Sequence, residues 1–206
     1  MQQQVIDRIF TVLKETYLIE VEASGRHVHL SQDAADFLFG ENYVIQKAKD
    51  LSQPGQYACK ERVDLMTPGG VIKNVAILGP VRPETQVEIS MTDARILKIN
   101  PPVRLSGDTK DTPGITICAN GRKLSTAKGV IIAKRHIHLT PASAERFGVS
   151  DKESVRVKLF SDRPLIFDDT VVRVSDKFHD DVHIDFDEAN ACGYTKNTYA
   201  VIQKTK

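Results

Sequence analysis

The sequence predicts a mainly β protein with short helices: two related small β-barrel domains from an internal duplication, preceded by an N-terminal amphipathic helix. Three observations lead there. Many short runs alternate apolar and polar residues and end at Gly/Pro punctuation, while helical periodicity is confined to a few short stretches. "RHVHL" at Arg26–Leu30 returns as "RHIHL" at Arg135–Leu139, each followed by a short helical stretch ending in Phe-Gly. "VEISMTDA" (Val87–Ala94) aligns with "VHIDFDEA" (Val182–Ala189), so the repeat continues in the same order.

The elements follow in turn. Val5, Ile6, Ile9, Phe10, Val12, Leu13 and Tyr17 recur at helical spacing between charged residues, which predicts an amphipathic helix over residues 5–18. "LIEVEAS" (Leu18–Ser24) alternates as a half-buried strand does. "LSQDAADFLFG" (Leu30–Gly40) reads as a short helix, with Ser31 as N-cap and Gly40 as stop. Glu61–Leu78 reads as a hairpin turning at Pro68-Gly69-Gly70, and Thr85–Ser90 as a strand. Met91–Ile99 is helical and is stopped by Pro101-Pro102, and Ser106–Gly114 is loop. Gly129–Leu139 reads as one strand and Thr140–Gly148 as a helix. Strands follow over Ser154–Phe160, Leu165–Phe167, Thr170–Val174 and Asp181–Asp185. The expected organisation is an extension over residues 1–17, a first barrel half over 18–133 and a second over 134–206. The strand over 18–25 precedes the first H-x-H as 129–135 precedes the second. It is therefore a candidate to cross over and pair with the second barrel.

Composition narrows the function classes. The 206 residues suffice for two small cores, and 28 basic against 27 acidic residues leave a net charge of +1. That balance argues against a general affinity for nucleic acid or an anionic membrane surface. No apolar run approaches the roughly 18–20 residues a bilayer span needs. Asp7 and Glu15 interrupt the N-terminus, which also lacks a signal-peptide cleavage site. Cys59, Cys118 and Cys192 are odd in number and far apart, so a reducing, cytosolic setting is expected. Neither a P-loop, a GxGxxG fingerprint nor a GxSxG elbow is present.

Four of the six histidines lie in the two H-x-H copies. On a strand, side chains two residues apart share a face, so two imidazoles can converge on one metal ion. In the aligned segments Glu88 falls on His183. Each half therefore offers a third ligand: His27, His29 and Glu88 in one set, His136, His138 and His183 in the other. Both are ligand types of catalytic zinc sites, which keep a position open for water or substrate, whereas structural zinc favours cysteine. Cobalt, nickel or iron suit the same donors. Arg82, in the Gly/Pro-bounded turn "GPVRPE", is a candidate anion contact, and a solvated turn arginine is the plain alternative. Arg26 and Arg135 point away from the histidines and either support the sheet or reach a ligand. His179 has no counterpart in the first half and reads as a surface residue, and Cys192 as a small packed one.

These motifs, with "LGPVRPETQVEIS", "PVRLSGDTKDTPG", "GVIIAKRHIHLTP" and "HIDFDEANACG", resemble those of the PduL-type phosphotransacylases, the phosphate propanoyltransferases and their acetyl-transferring relatives of bacterial microcompartments. The resemblance runs over roughly residues 20–200 with the motifs in order. It implies two small barrels with a dinuclear zinc centre between them. The reaction would be acyl-CoA + phosphate ⇌ acyl phosphate + CoA. Its implied zinc ligands are the six residues above. It makes Arg82 the phosphate contact and places Ser24, Lys49, the backbone at Leu78, and Asn190 along CoA. It also implies a bacterial cytoplasmic enzyme. An N-terminal helix of this kind would direct it to microcompartment shell or cargo proteins, or else pack on the enzyme's own body or at an oligomer interface, and a homo-oligomer is compatible with the resemblance. Ala76 stands where the family commonly has arginine, so one nucleotide-side contact is expected to be absent, and Phe186 replaces a usual threonine. From the residues themselves, a zinc-dependent thioesterase or a non-catalytic metal-stabilised scaffold stays open beside the transferase.

Overall fold

The structure, a computed structural model, describes residues 2–203. The N-terminal periodicity forms α1 (Gln2–Thr16), and the alternating run after it forms β1 (Ile19–Ser24). β2 (His27–His29) passes into α2 (Gln32–Phe39), whose first turn Ser31 closes by accepting from the Ala34 amide. β3 (Lys47–Asp50), the hairpin of β4 (Tyr57–Thr67) and β5 (Gly70–Gly79), and β6 (Gln86–Ile89) come next. Then follow α3 (Met91–Leu97), β7 (Val103–Arg104), the hairpin of β8 (Thr116–Ala119) and β9 (Arg122–Ser125), and β10 (Val130–Ala133). The last part of the chain forms β11 (His136–Leu139), α4 (Pro141–Phe147), β12 (Ser154–Phe160), β13 (Ile166–Val174), β14 (Asp181–Asp185), α5 (Phe186–Cys192) and β15 (Tyr199–Gln203).

The chain divides into an inserted unit, Gly25–Lys134, and a flanking unit made of the residues up to Ser24 and from Arg135 onward. The flanking unit is a closed six-stranded barrel in the order β1-β14-β11-β13-β12-β15. The inserted unit is a larger, nine-stranded sheet in the order β7-β10-β6-β2-β5-β4-β8-β9, with β3 on β4. The β4–β5 hairpin and the added β8–β9 hairpin carry this sheet past a six-stranded ring.

Strand pairing exchanges the two halves reciprocally. β1 precedes the first H-x-H in the chain, yet it pairs in parallel with β14 and antiparallel with β15. β10 precedes the second H-x-H and pairs in parallel with β6 and β7. The run Gly129–Leu139 is therefore two strands and not one. It breaks at Lys134 and Arg135 because β10 belongs to the inserted unit and β11 to the flanking one. Two further differences have local causes. The runs over 165–167 and 170–174 are one strand, β13, which accommodates Asp169 at φ 52°. The segment after β14 forms α5, started by a capping box between Asp185 and Glu188 and stopped at Gly193.

Each unit has its own core. Val28, Leu30, Leu38, Leu65, Ile77 and Leu97 are fully buried in the inserted unit. Ile137, Leu139, Val157, Leu159 and Val172 are fully buried in the flanking unit. Val28 and Ile137 are the middle residues of the two H-x-H motifs. Strand alternation gives them to the core and turns the flanking histidines to the other face. Gly129 is required where β10 approaches β6. Its φ is +120°, a Cβ would meet the Thr85 carbonyl oxygen at 2.7 Å, and its own carbonyl accepts from the Val87 amide.

Candidate metal centres

The register of the two units is the same around the histidines. β2 runs antiparallel to β6, with His27 opposite Glu88 and His29 opposite Gln86. β11 runs antiparallel to β14, with His136 opposite His183 and His138 opposite Asp181. Directly paired residues share a face, so each H-x-H meets a third ligand-type side chain across one strand.

In the inserted unit His27, His29 and Glu88 are buried, and one donor atom from each lies within 4.8 Å of the others. Glu88 Oε2 is 3.6 Å from His27 Nε2, and Glu88 Oε1 is 3.9 Å from His29 Nε2. The opposite ring nitrogens are tied to backbone. His27 Nδ1 lies 2.8 Å from the Gly25 carbonyl oxygen and His29 Nδ1 lies 3.1 Å from that of Leu78. An Nδ1–H donated to a carbonyl fixes the tautomer and leaves Nε2 for a metal. Burial, reinforced by the charges of His27 and Arg82, pushes the His29 imidazole down to about 3, so it stays neutral and able to ligate. Burial works against the Glu88 carboxylate. The charge and hydrogen bond of His27 and the Ser106 hydroxyl outweigh it and hold Glu88 well below the usual carboxylate range.

A polar chain runs from Glu88 to Arg82. Glu88 Oε1 accepts from the Gln86 amide at 2.6 Å and from Ser106 Oγ at 2.7 Å. Arg82 Nη1 donates to Ser106 Oγ at 2.9 Å, and the Gly107 amide donates to Gln86 Oε1 at 2.7 Å. Arg82 itself is half-buried, and its backbone amide is held by the Leu30 carbonyl at 2.9 Å. Ser106 and Gln86 were not legible as site residues. Ser106 lies in a loop far along the chain, and Gln86 carries no signal apart from its place two residues before Glu88.

In the flanking unit the donor atoms that lie within 4.8 Å of one another come from His138, Asp181 and His183. Asp181 Oδ1 is 3.2 Å from His138 Nδ1 and 2.8 Å from His183 Nε2. His136 adjoins both imidazoles. Its ring stacks on His183 at 5.1 Å and meets His138 edge-on at 4.6 Å. The His138 imidazole is lowered by burial, against the opposing pull of Asp181. The Asp181 carboxyl resists burial through its hydrogen bonds to His138 and His183 and is held well below its ordinary range. Arg173, opposite His138 on β13, brings Nη1 to 3.5 Å from His138 Nε2. His179 lies outside this group, on the loop before β14.

Arg26 and Arg135 play matched parts. Arg26 pairs with the buried Asp93 through two contacts, Nε to Oδ2 at 2.9 Å and Nη2 to Oδ1 at 2.7 Å. Asp93 is also the carboxylate of the α3 capping box. Arg135 pairs with Glu188, the carboxylate of the α5 capping box. Each arginine thus ties the start of its H-x-H strand to the helix that follows the third-ligand strand.

The residues proposed for CoA lie on both units. Lys49 is exposed on β3 and Leu78 is half-buried on β5; Ser24 is half-buried at the end of β1 and Asn190 is exposed on α5. Ala76 lies directly opposite Arg62 on β4, so a guanidinium shares its face of the sheet.

Buried imidazoles with a carboxylate, no cysteine thiolate, and ring nitrogens steadied by outer hydrogen bonds form the donor chemistry of catalytic metal sites. The class defined here is a duplicated β protein with one such set in each unit. Comparison with known proteins identifies the family. The phosphate propanoyltransferase family profile matches residues 20–195. The phosphate propanoyltransferase of Clostridioides difficile (strain 630) is 55% identical over 201 residues, covering 98% of this chain and 96% of its own length. That of Enterococcus faecalis (strain ATCC 700802 / V583) is 54% identical over 202 residues, covering 98% and 95%. The more distant Thermotoga maritima protein of the same name is 52% identical over 187 residues, covering 90% and 89%. The chain belongs to the phosphate propanoyltransferase family.

Proposed function

We propose that this protein is a phosphotransacylase, converting acyl-CoA and phosphate to acyl phosphate and CoA, with propanoyl or acetyl as the acyl group. The observation that carries this reading is the shared register, which faces each H-x-H with a third ligand-type residue in a chain of this family. His27, His29 and Glu88 would hold one zinc ion, and His136, His138 and His183 a second. Bound there, zinc supplies Lewis acidity for the thioester oxygen and the departing sulfur.

The side chains do the remaining work. Arg82 takes phosphate in a bidentate grip and holds one phosphate oxygen toward the acyl carbon, so that a bimolecular attack becomes a positioned one. Ser106, between Arg82 and Glu88, sets the guanidinium relative to the first ligand set. The new oxygen–carbon bond forms, the carbon–sulfur bond breaks, and the electron pair leaves with CoA sulfur. No side-chain nucleophile is required. Ser24, Lys49, the Leu78 backbone and Asn190 position CoA.

The test is metal analysis of the purified protein, with CoA release from propanoyl-CoA and acetyl-CoA measured with and without phosphate. Two zinc ions per chain and phosphate-dependent release are expected. Equal release without phosphate means hydrolysis and overturns the transferase reading.

The N-terminal helix has a separate role in this proposal. Val5, Ile6, Ile9 and Phe10 of α1 are 48–55% exposed, while Phe10 meets Tyr199 edge-on and Lys14 pairs with Glu20 at 2.6 Å. The apolar face would dock on shell or cargo proteins of a bacterial microcompartment in the cytoplasm. Deleting residues 2–16 should abolish co-localisation with the compartment and leave CoA release within about twofold, since surface changes rarely reach a distant site.

A further inference from the structure

We infer that Asp181 is the positioning residue of the second metal set, accepting from His138 Nδ1–H and so presenting Nε2 of that ring to the ion, with His183 Nε2 held 2.8 Å from the same carboxylate oxygen. The inference deepens the proposed two-metal reading and rests on it.

The matched register supplies the argument. His138 is the counterpart of His29, because each is the second histidine of its motif and lies opposite the residue two before the third ligand. His29 directs Nδ1 to the Leu78 carbonyl at 3.1 Å. The residue at the matching place on β13 is Arg173, and His138 Nδ1 turns instead to Asp181 Oδ1 at 3.2 Å. A side-chain carboxylate thus does for His138 what a backbone carbonyl does for His29.

The third-ligand position shows a related correspondence. Glu88 is an acceptor, and the residue two before it, Gln86, gives it an amide donor at 2.6 Å. His183 brings Nε2 to 2.8 Å from the carboxylate of Asp181, the residue two before it, as an ion-pair contact. Each third ligand has the neighbour its chemistry needs. Asp181 is 2% exposed, so its charge acts in a weakly screened setting. Glu22, the other acid near His183, is farther, at 3.8 Å, and its side chain is 36% exposed against 3% for Asp181. Asp181 also levels the charge of the two sets. One buried carboxylate belongs to each set, Glu88 as a proposed ligand in one and Asp181 behind the imidazoles in the other.

The test reads metal rather than turnover, so its failure is separable from failure of the reaction. Zinc is counted per chain, and its affinity is measured by chelator competition in the full-length protein. Asp181→Asn keeps the shape and removes the charge and one acceptor. Loss of such an outer partner costs about 10–100-fold in metal affinity. One of the two ions should weaken by that factor. In a His27→Ala background the only remaining ion should weaken by the same factor, which assigns the effect to the flanking unit. Glu22→Gln should leave both affinities unchanged. Unchanged zinc affinity in Asp181→Asn overturns the inference. If that variant does not fold, nitrogen NMR of the histidines in the zinc-loaded wild type decides. A proton on His138 Nδ1 supports the inference, and zinc on that nitrogen overturns it. A wild-type chain that binds no zinc overturns both this inference and the metal reading beneath it.

Discussion

The histidine pairs of the two units occupy the same strand positions, yet they are steadied by different groups. In the inserted unit, backbone carbonyls at Gly25 and Leu78 hold His27 and His29, and Ser106 and Gln86 hold Glu88. In the flanking unit one carboxylate, Asp181, contacts two imidazoles, and His136 stacks on His183. The first set carries its negative charge on a ligand and reaches Arg82 through Ser106. The second carries it behind the ligands, with Arg173 alongside. A duplicated scaffold has kept the strand positions of the candidate ligands and exchanged their surroundings.

Removing a ligand from either unit should have the largest effect. His27→Ala and His136→Ala should each cost one zinc ion and lower turnover by on the order of 10³-fold, because several kcal/mol of charge stabilisation is lost with the ion. A His136→Ala variant that keeps full turnover with one ion fewer would break the equivalence of the two sets. Arg82→Lys should come next. It keeps the charge but loses the fork, and the KM for phosphate should rise about tenfold or more with both ions retained. Steady-state rates with phosphate varied would show it, and an unchanged KM would remove Arg82 from the phosphate site. The smallest effects belong to the matched arginine clamps. Arg26→Ala and Arg135→Ala should each destabilise the protein by about 1–3 kcal/mol in urea unfolding, since each leaves a capping carboxylate without its partner. Asp93 is 1% exposed, so the Arg26 variant should lose more than the Arg135 variant. Equal losses would mean that burial of the acid does not set the cost.

Much of this was legible residue by residue. Ser31 and Gly40 marked the ends of α2, and Pro68-Gly69-Gly70 marked the β4–β5 turn, because caps and turns are chemical requirements of one short segment. The H-x-H copies were visible for the same reason, since strand alternation turns residue spacing into a shared face. Other features escaped. Asp181 lies two residues before His183 in "HDDVHID", and nothing in that string separates it from the neighbouring Asp180. Only pairing with β11 shows that Asp181 faces His138 while Asp180 caps α4 through the Thr140 amide. The partners of Arg26 and Arg135 were hidden likewise, because each acid lies on a helix reached after several other elements.

Local rules therefore set the elements, the duplication and the spacing of the histidines, all written within a few adjacent residues. The repeat also offered residues 18–25 for pairing with the second half, and β1 does cross over; the particular partners needed the folded chain, with β1 joining β14 and β15 and β10 staying with β6. Which edge a distant strand joins, and in which register, depends on the edges available once the cores of both units have formed. The same holds for the groups around each ligand set. Their identity follows from register, and register is established by long-range burial of residues such as Val28 and Ile137.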